Sequence, residues 1–160
     1  MNTIQRDVRG ALIAHERLVA TLEFLTDEEA RSASLLPNWT VGHVLTHIAR
    51  NADGLALIVD AANRGEIGLM YPGGVEQRNA DIEAGSSRPA AELLTDVTDA
   101  CARLESAWEA TTPAGWDGTG QTPFGPLPMN SLPFRRWRET ITHHADCGFV
   151  HGGVSFSWRD

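Results

Sequence analysis

Three observations predict an all-α fold, a four-helix bundle with long connections. Apolar residues recur at spacings of three and four in four separate segments, which is the pattern of one buried helix face. Small polar capping residues precede most of these segments and glycine follows several of them, as at helix ends. The chain has 160 residues, of which 42% are hydrophobic and 21% charged. That composition suits one soluble domain with a real core.

Residues 2–24 read as the first helix, with Ile4, Val8, Ala11, Leu12, His15, Leu18, Val19, Leu22 and Leu25 along one face. Thr26-Asp27-Glu28-Glu29 then offers a cap followed by acids in a first turn, and acids there complement the helix dipole. Ala30 to Ser34 suits one helical turn ahead of the loop Leu35-Leu36-Pro37. Asn38-Trp39-Thr40 starts the second long helix, with Thr40 a good N-cap and Asn38 the alternative. Val41, Val44, Leu45, Ile48, Ala52, Leu55, Ile58 and Val59 form its stripe, and Asn63-Arg64-Gly65 ends it.

Residues 65–85 form a long connection that contains Tyr71-Pro72-Gly73-Gly74, with a short helix expected over 75–83. A connection of that length is often functional. Ser87 is the expected cap of the third helix and Pro89 lies near its first position. Leu93, Leu94, Val97, Cys101, Leu104 and Trp108 carry its core stripe, and Thr112-Pro113-Ala114-Gly115 ends it. Residues 116–128 are dense in Gly, Pro and Thr, which excludes helix, so a small hairpin or a loop across one end of the bundle is expected. Asn130-Ser131 caps the fourth helix, which runs to about Cys147-Gly148 with Phe134, Trp137, Ile141 and Ala145 as its apolar positions. The expected organisation is a helical bundle over 1–150 and a tail over 151–160.

The formal net charge is −8, which repels phosphate and argues against nucleic acid as a partner. The one basic cluster, Arg135, Arg136 and Arg138, is too small for a nucleic-acid footprint. Two cysteines, Cys101 and Cys147, lie in helical patterns and read as small buried thiols rather than a disulfide framework. The polar opening Met1-Asn2-Thr3-Ile4-Gln5-Arg6 is not a signal peptide. The apolar stretches are too short to span a membrane. A cytoplasmic protein with no membrane partner is expected.

The chemistry-bearing residues fall in two segments. Asn38-Trp39-Thr40-Val41-Gly42-His43-Val44-Leu45-Thr46-His47 places His47 at the border of the core. Arg136-Trp137-Arg138-Glu139-Thr140-Ile141-Thr142-His143-His144-Ala145-Asp146 places a carboxylate and an imidazole four apart on one helix face. If the two faces meet, His47, Glu139 and His143 supply two imidazoles and a carboxylate, a set that suits a divalent metal with an open position. His43, in the first turn, reads as packing or support. His144 points about 100° away from His143. Asp146 is placed to accept a hydrogen bond from a ligating imidazole. Singly, each of these residues has an ordinary structural role, as a satisfied core histidine or a solvated charge.

Together, Leu36-Pro37-Asn38-Trp39-Thr40 through His43, His47 and Asn51, then Met70-Tyr71 with Gln77-Arg78-Asn79, then Glu139 through His143, Asp146 and Gly148, resemble the metal-binding helical domain of mycothiol-dependent maleylpyruvate isomerases, within the DinB-like superfamily. The resemblance implies that His47, Glu139 and His143 are ligands of a divalent metal, zinc first. It implies mycothiol or a related low-molecular-weight thiol as cofactor. It places Arg78 near cofactor and substrate as the catalytic candidate, with Asn79 and Tyr71 beside it as cofactor-binding candidates. The two-domain isomerases carry a smaller α/β domain after the bundle, whereas here about twelve residues follow the fourth helix.

The chemistry so implied is addition of a metal-bound thiolate to a double bond conjugated with carbonyls, rotation, and departure of the thiolate. Arg78, with Arg50 and Arg138 as poorer candidates, would hold carboxylates and the developing enolate. The expected substrate is an unsaturated dicarboxylate or a small electrophile. The alternatives are a thiol S-transferase, for which a more open site would suit broader substrates, and a non-catalytic bundle with structural histidines. A homodimer is compatible with each.

Overall fold

The computed structural model describes residues 2–149, so the expected tail over 151–160 lies outside the described residues. Four long helices make the bundle: α1 (Thr3–Leu22), α3 (Val41–Asn63), α5 (Ala90–Glu109) and α7 (Leu132–Asp146). Between them lie α2 (Asp27–Arg31), α4 (Gly74–Gly85), α6 (Pro113–Trp116) and the strands β1 (Thr119–Thr122) and β2 (Gly125–Pro128). A 3-10 turn, Met129–Ser131, leads into α7. The all-α four-helix bundle expected from periodicity is therefore the observed architecture, and the hairpin before the last helix is present. No helix among the described residues is long and apolar enough to cross a membrane.

Local chemistry sets most helix starts. Asn2 caps α1 and exchanges hydrogen bonds with Gln5. Thr26 and Glu29 form a capping box on α2, and Thr40 caps α3 through the His43 N–H. Gly65 follows the end of α3 at φ +74°, a conformation glycine adopts without steric cost.

Three expectations are corrected. Ser87 does not cap α5. The helix begins after Pro89 with no cap from its own side chains, and the Ala90 N–H instead donates to Asp27 Oδ1 at 2.8 Å, from α2. The Ser131 side chain does not cap α7 either: its hydroxyl turns back to the Pro128 carbonyl. The buried face of α7 is Leu132, Pro133, Arg136 and Thr140, while Phe134 and Ile141 are exposed. The stripe read from the sequence was offset because the true inner face carries polar residues.

Arg136, read from the sequence only as part of a small basic cluster, is fully buried. Its Nε donates to His15 Nε2 (2.9 Å), Nη1 to the Ile48 carbonyl (3.0 Å) and Asn51 Oδ1 (2.9 Å), and Nη2 to Cys101 Sγ (3.4 Å). His15, whose Nε2 accepts from Arg136, donates from Nδ1 to Glu105 at 2.7 Å. Every member of the group is hydrogen-bonded, as burial of polar atoms requires.

The long connection after α3 is built into the bundle. Met70 N–H donates to the Gln121 carbonyl and Gln121 N–H to the Gly68 carbonyl, so 68–70 pairs with β1. The α4 helix, slightly longer than the 75–83 expected, then runs back over the start of α3. Its end is in close approach there: a Cβ on Gly42 would collide with the Ser86 carbonyl, and one on Gly85 with the Thr46 side chain.

Gly42→Ala is expected to destabilise the protein by about 1–3 kcal/mol, the scale of overpacking against backbone, read from urea unfolding. Burial pushes His15 below the ordinary imidazole value, against the hydrogen bond it donates to Glu105, which pulls it up. Between about pH 6.5 and the lowered folded value, the unfolded chain binds a proton that the folded one refuses. This component of stability is present above that window and is lost as pH falls through it. His15→Gln, which keeps one acceptor and one donor but does not titrate, is expected to flatten the decline in urea midpoint between pH 7 and 5.5.

Candidate metal centre

α3 and α7 bring together the residues read from the two segments. The ligating atoms of His47, Glu139 and His143 all lie within 4.8 Å of one another. Glu139 Oε1 stands 2.9 Å from His47 Nε2 and 3.3 Å from His143 Nε2. The two imidazoles meet edge to face at 4.6 Å. The i, i+4 spacing stacks Glu139 and His143 on one face of α7, and His47 faces them from the second turn of α3, buried under Trp39.

The surrounding side chains differ in function. Asp146 Oδ2 accepts from His143 Nδ1 at 2.9 Å, which leaves Nε2 as the ring's metal-facing atom. His43 is engaged elsewhere: Nδ1 accepts from the Thr40 N–H and hydroxyl, Nε2 donates to Glu83, and the ring stacks on Trp39. His144 points to Thr21 Oγ1 on α1. Arg78, from α4, places Nη2 2.7 Å from His47 Nδ1 and Nη1 2.8 Å from Asn79 Oδ1. Tyr71 lies beside Arg78: burial pushes its phenol up, and the Arg78 cation and hydrogen bond pull it back. Arg50 is held by Asp96 and Asp53, and Arg138 is exposed.

Electrostatics follow from this packing. Burial raises the Glu139 carboxyl, but hydrogen bonds from His143 and His47 outweigh it and hold it well below the usual carboxylate range. Burial lowers His143, yet Glu139 and Asp146 together carry it above an ordinary imidazole. For His47 burial dominates, and its value falls despite Glu139. A carboxylate that stays ionised beside a neutral imidazole is a donor pair suited to a divalent cation.

The donor set fits a metal, with one adjustment. A guanidinium only donates, so Arg78 makes His47 Nδ1 the acceptor and puts the ring proton on Nε2, where Glu139 receives it. Coordination through Nε2 moves that proton to Nδ1, where it would face another donor. Arg78 would then have to leave His47 for a metal to be held through Nε2.

Trp39, which covers both His43 and His47, had no role assigned from the sequence, nor did buried Arg136. Arg136 lies three residues before Glu139, and that helical spacing was the available signal that it shares the inner face.

A helical bundle with two imidazoles and a carboxylate converging between facing helices defines a class of bundle proteins with a candidate metal site in the core. Residues 11–148 match the family model of the mycothiol maleylpyruvate isomerase N-terminal domain, and the chain belongs to that family. Two solved structures of the mycothiol-dependent maleylpyruvate isomerase, one of them a histidine-to-alanine variant, superpose with a TM-score of 0.87 at 29% identity. The matches cover 93% of this chain and 62% of theirs, so the chain spans less than two thirds of their length. YfiT from Bacillus subtilis, described as a probable metal-dependent hydrolase with an unusual four-helix bundle topology, matches at 13% identity with a TM-score of 0.70. That match covers 92% of this chain and 88% of YfiT, and it shows a shared four-helix-bundle fold. A search of curated proteins found no match.

In the metal-free protein, two-bond proton–nitrogen correlation spectra are expected to show His47 protonated at Nε2. Addition of zinc should move the proton to Nδ1. Arg78→Ala should weaken the metal-free preference while leaving the zinc-bound tautomer unchanged.

Proposed function

We propose that the chain is a metal- and thiol-dependent enzyme domain of the maleylpyruvate isomerase type, with His47, Glu139 and His143 as the metal ligands. The observation that carries this is the convergence of those three side chains from two helices, with Asp146 bonded to His143 and Trp39 packed on His47. Zinc suits two imidazoles and one carboxylate with a fourth position open. When bound, the metal supplies a Lewis acid that favours a thiolate, and mycothiol supplies a nucleophile whose reversible addition lets a conjugated double bond rotate.

The chain's own residues do the rest. Asp146 holds the His143 ring in the tautomer that presents Nε2. Trp39 covers His47 and limits water on that side. Arg78, released from His47 Nδ1, offers a planar fork to a carboxylate or enolate oxygen, with Asn79 accepting from its other amino group to hold it in plane. Tyr71, kept protonated at neutral pH by burial, can donate to the same anionic group. An unsaturated dicarboxylate is the substrate class this arrangement suits.

The test is metal content of the purified protein, followed by turnover with mycothiol and an unsaturated dicarboxylate. The native protein is expected to hold about one zinc per chain. His47→Ala, Glu139→Ala and His143→Ala should each lose it while keeping their helicity, and His144→Ala should keep it. Arg78→Ala should retain metal and lose roughly a hundredfold in turnover, the scale for removing one anion-stabilising donor. Thiol retained covalently in the product would mean an S-transferase instead. A native protein that takes up no zinc when it is offered would leave a structural bundle.

A further inference from the structure

We propose that Arg136 is a positioning residue of the metal centre, its buried guanidinium fixing the spacing between α3, which carries His47, and α7, which carries Glu139 and His143. The inference rests on the metal reading above. Among the described residues no acidic side chain is hydrogen-bonded to Arg136: its partners are an imidazole, a carbonyl, an amide oxygen and a thiol. A buried cation so arranged is a poor source of stability, since apolar replacement of buried charged groups is often neutral or favourable. Its distinctive property is geometric. The guanidinium is a rigid planar fork of donors, and here it engages α1 through His15, α3 through Ile48 and Asn51, and α5 through Cys101.

The two acceptors on α3 both lie just past His47. Ile48 follows His47 directly, and Asn51 lies one turn beyond it. On α7, Arg136 lies one turn before Glu139, with His143 one turn after. The Arg136–Asn51 bond is therefore the rung below the Glu139–His47 rung. Asn51 is itself buried. The guanidinium also holds an absolute distance: Nη1 reaches both the main chain and the side chain of α3 at 2.9–3.0 Å, so the two helices cannot slide without breaking both bonds. Ligand geometry tolerates only small errors, and a rung one turn away sets it.

The test compares wild type with Arg136→Met, which keeps an unbranched side chain but donates nothing, and with Val97→Ala, a core truncation on α5 that removes none of the hydrogen bonds to Arg136. Each is titrated with zinc and with cobalt(II), whose visible absorption reports ligand number and symmetry, and each is checked by far-ultraviolet circular dichroism and a thermal melt. Arg136→Met is expected to bind zinc at least about tenfold more weakly, the lower end of the range for residues that orient metal ligands, with an altered cobalt spectrum. Val97→Ala is expected to melt earlier with unchanged zinc affinity and cobalt spectrum. Where Arg136→Met fails to fold, Asn51→Ala, which removes one acceptor and leaves the guanidinium, carries the test with an expected weakening of about tenfold, the lower end of the same range. Zinc affinity and a cobalt spectrum like wild type in a folded Arg136→Met, or in Asn51→Ala, would overturn the positioning role. A wild type that binds no zinc would overturn the metal reading itself, which is a different result.

Discussion

A guanidinium at the centre of the bundle, bonded to neutral partners on three other helices, is the constraint on which the rest of the structure depends. Arg136 has no water to solvate it, so its donors must be met by protein atoms. Meeting them requires α1, α3 and α5 to stand at set distances from α7. Glu105, half-buried at the far side of His15, accepts a hydrogen bond from that ring, so its negative charge is relayed to the cation through an imidazole. A core of Leu, Ile and Val could have tolerated small slides between helices. This core does not, and the site one turn away inherits its rigidity.

The fold was largely legible because amphipathic periodicity reports burial, and burial here follows hydrophobicity on α1, α3 and α5. Val44, Leu45, Ile48, Ile58 and Val59 on α3 are all fully buried. The pattern failed on α7, where Arg136 and Thr140 are buried and Phe134 and Ile141 are not. A helix whose inner face is polar by necessity gives hydrophobicity the wrong phase. The spacing of Glu139 and His143 survived that error because it depends on helical geometry, not on which face is apolar. Their meeting with His47 was a conjecture from spacing, strengthened by the family resemblance, because it depends on how α3 packs against α7. The capping of α5 was illegible for the same reason: Asp27 lies 63 residues before Ala90, and local signals pointed to Ser87.

The connection between α3 and α5 shows how the bundle turns a loop into part of the site. Residues 68–70 join β1 through two backbone hydrogen bonds, and the end of α4 is locked against the start of α3 at Gly42 and Gly85. Between these anchors Tyr71, Arg78 and Asn79 are carried over His47. Members of the same family match this chain at 29% identity over 93% of its length, and close backbone approaches of this kind permit few changes of path. Asn79, whose role was uncertain from the sequence, is explained by its bond to Arg78.

The hydrogen bond from Ala90 to Asp27 has a consequence for how the chain assembles. The first turn of α5 has no cap from its own side chains, so a nascent α5 frays at its start until α2 arrives. The α2 segment is five residues long and is too short to persist by itself. The Ala90 N–H therefore meets its acceptor only once a large loop has closed. Loop closure of that span is an entropic cost that local helices avoid. In this molecule a five-residue helix supplies the third helix of the bundle with the acceptor that its own start lacks.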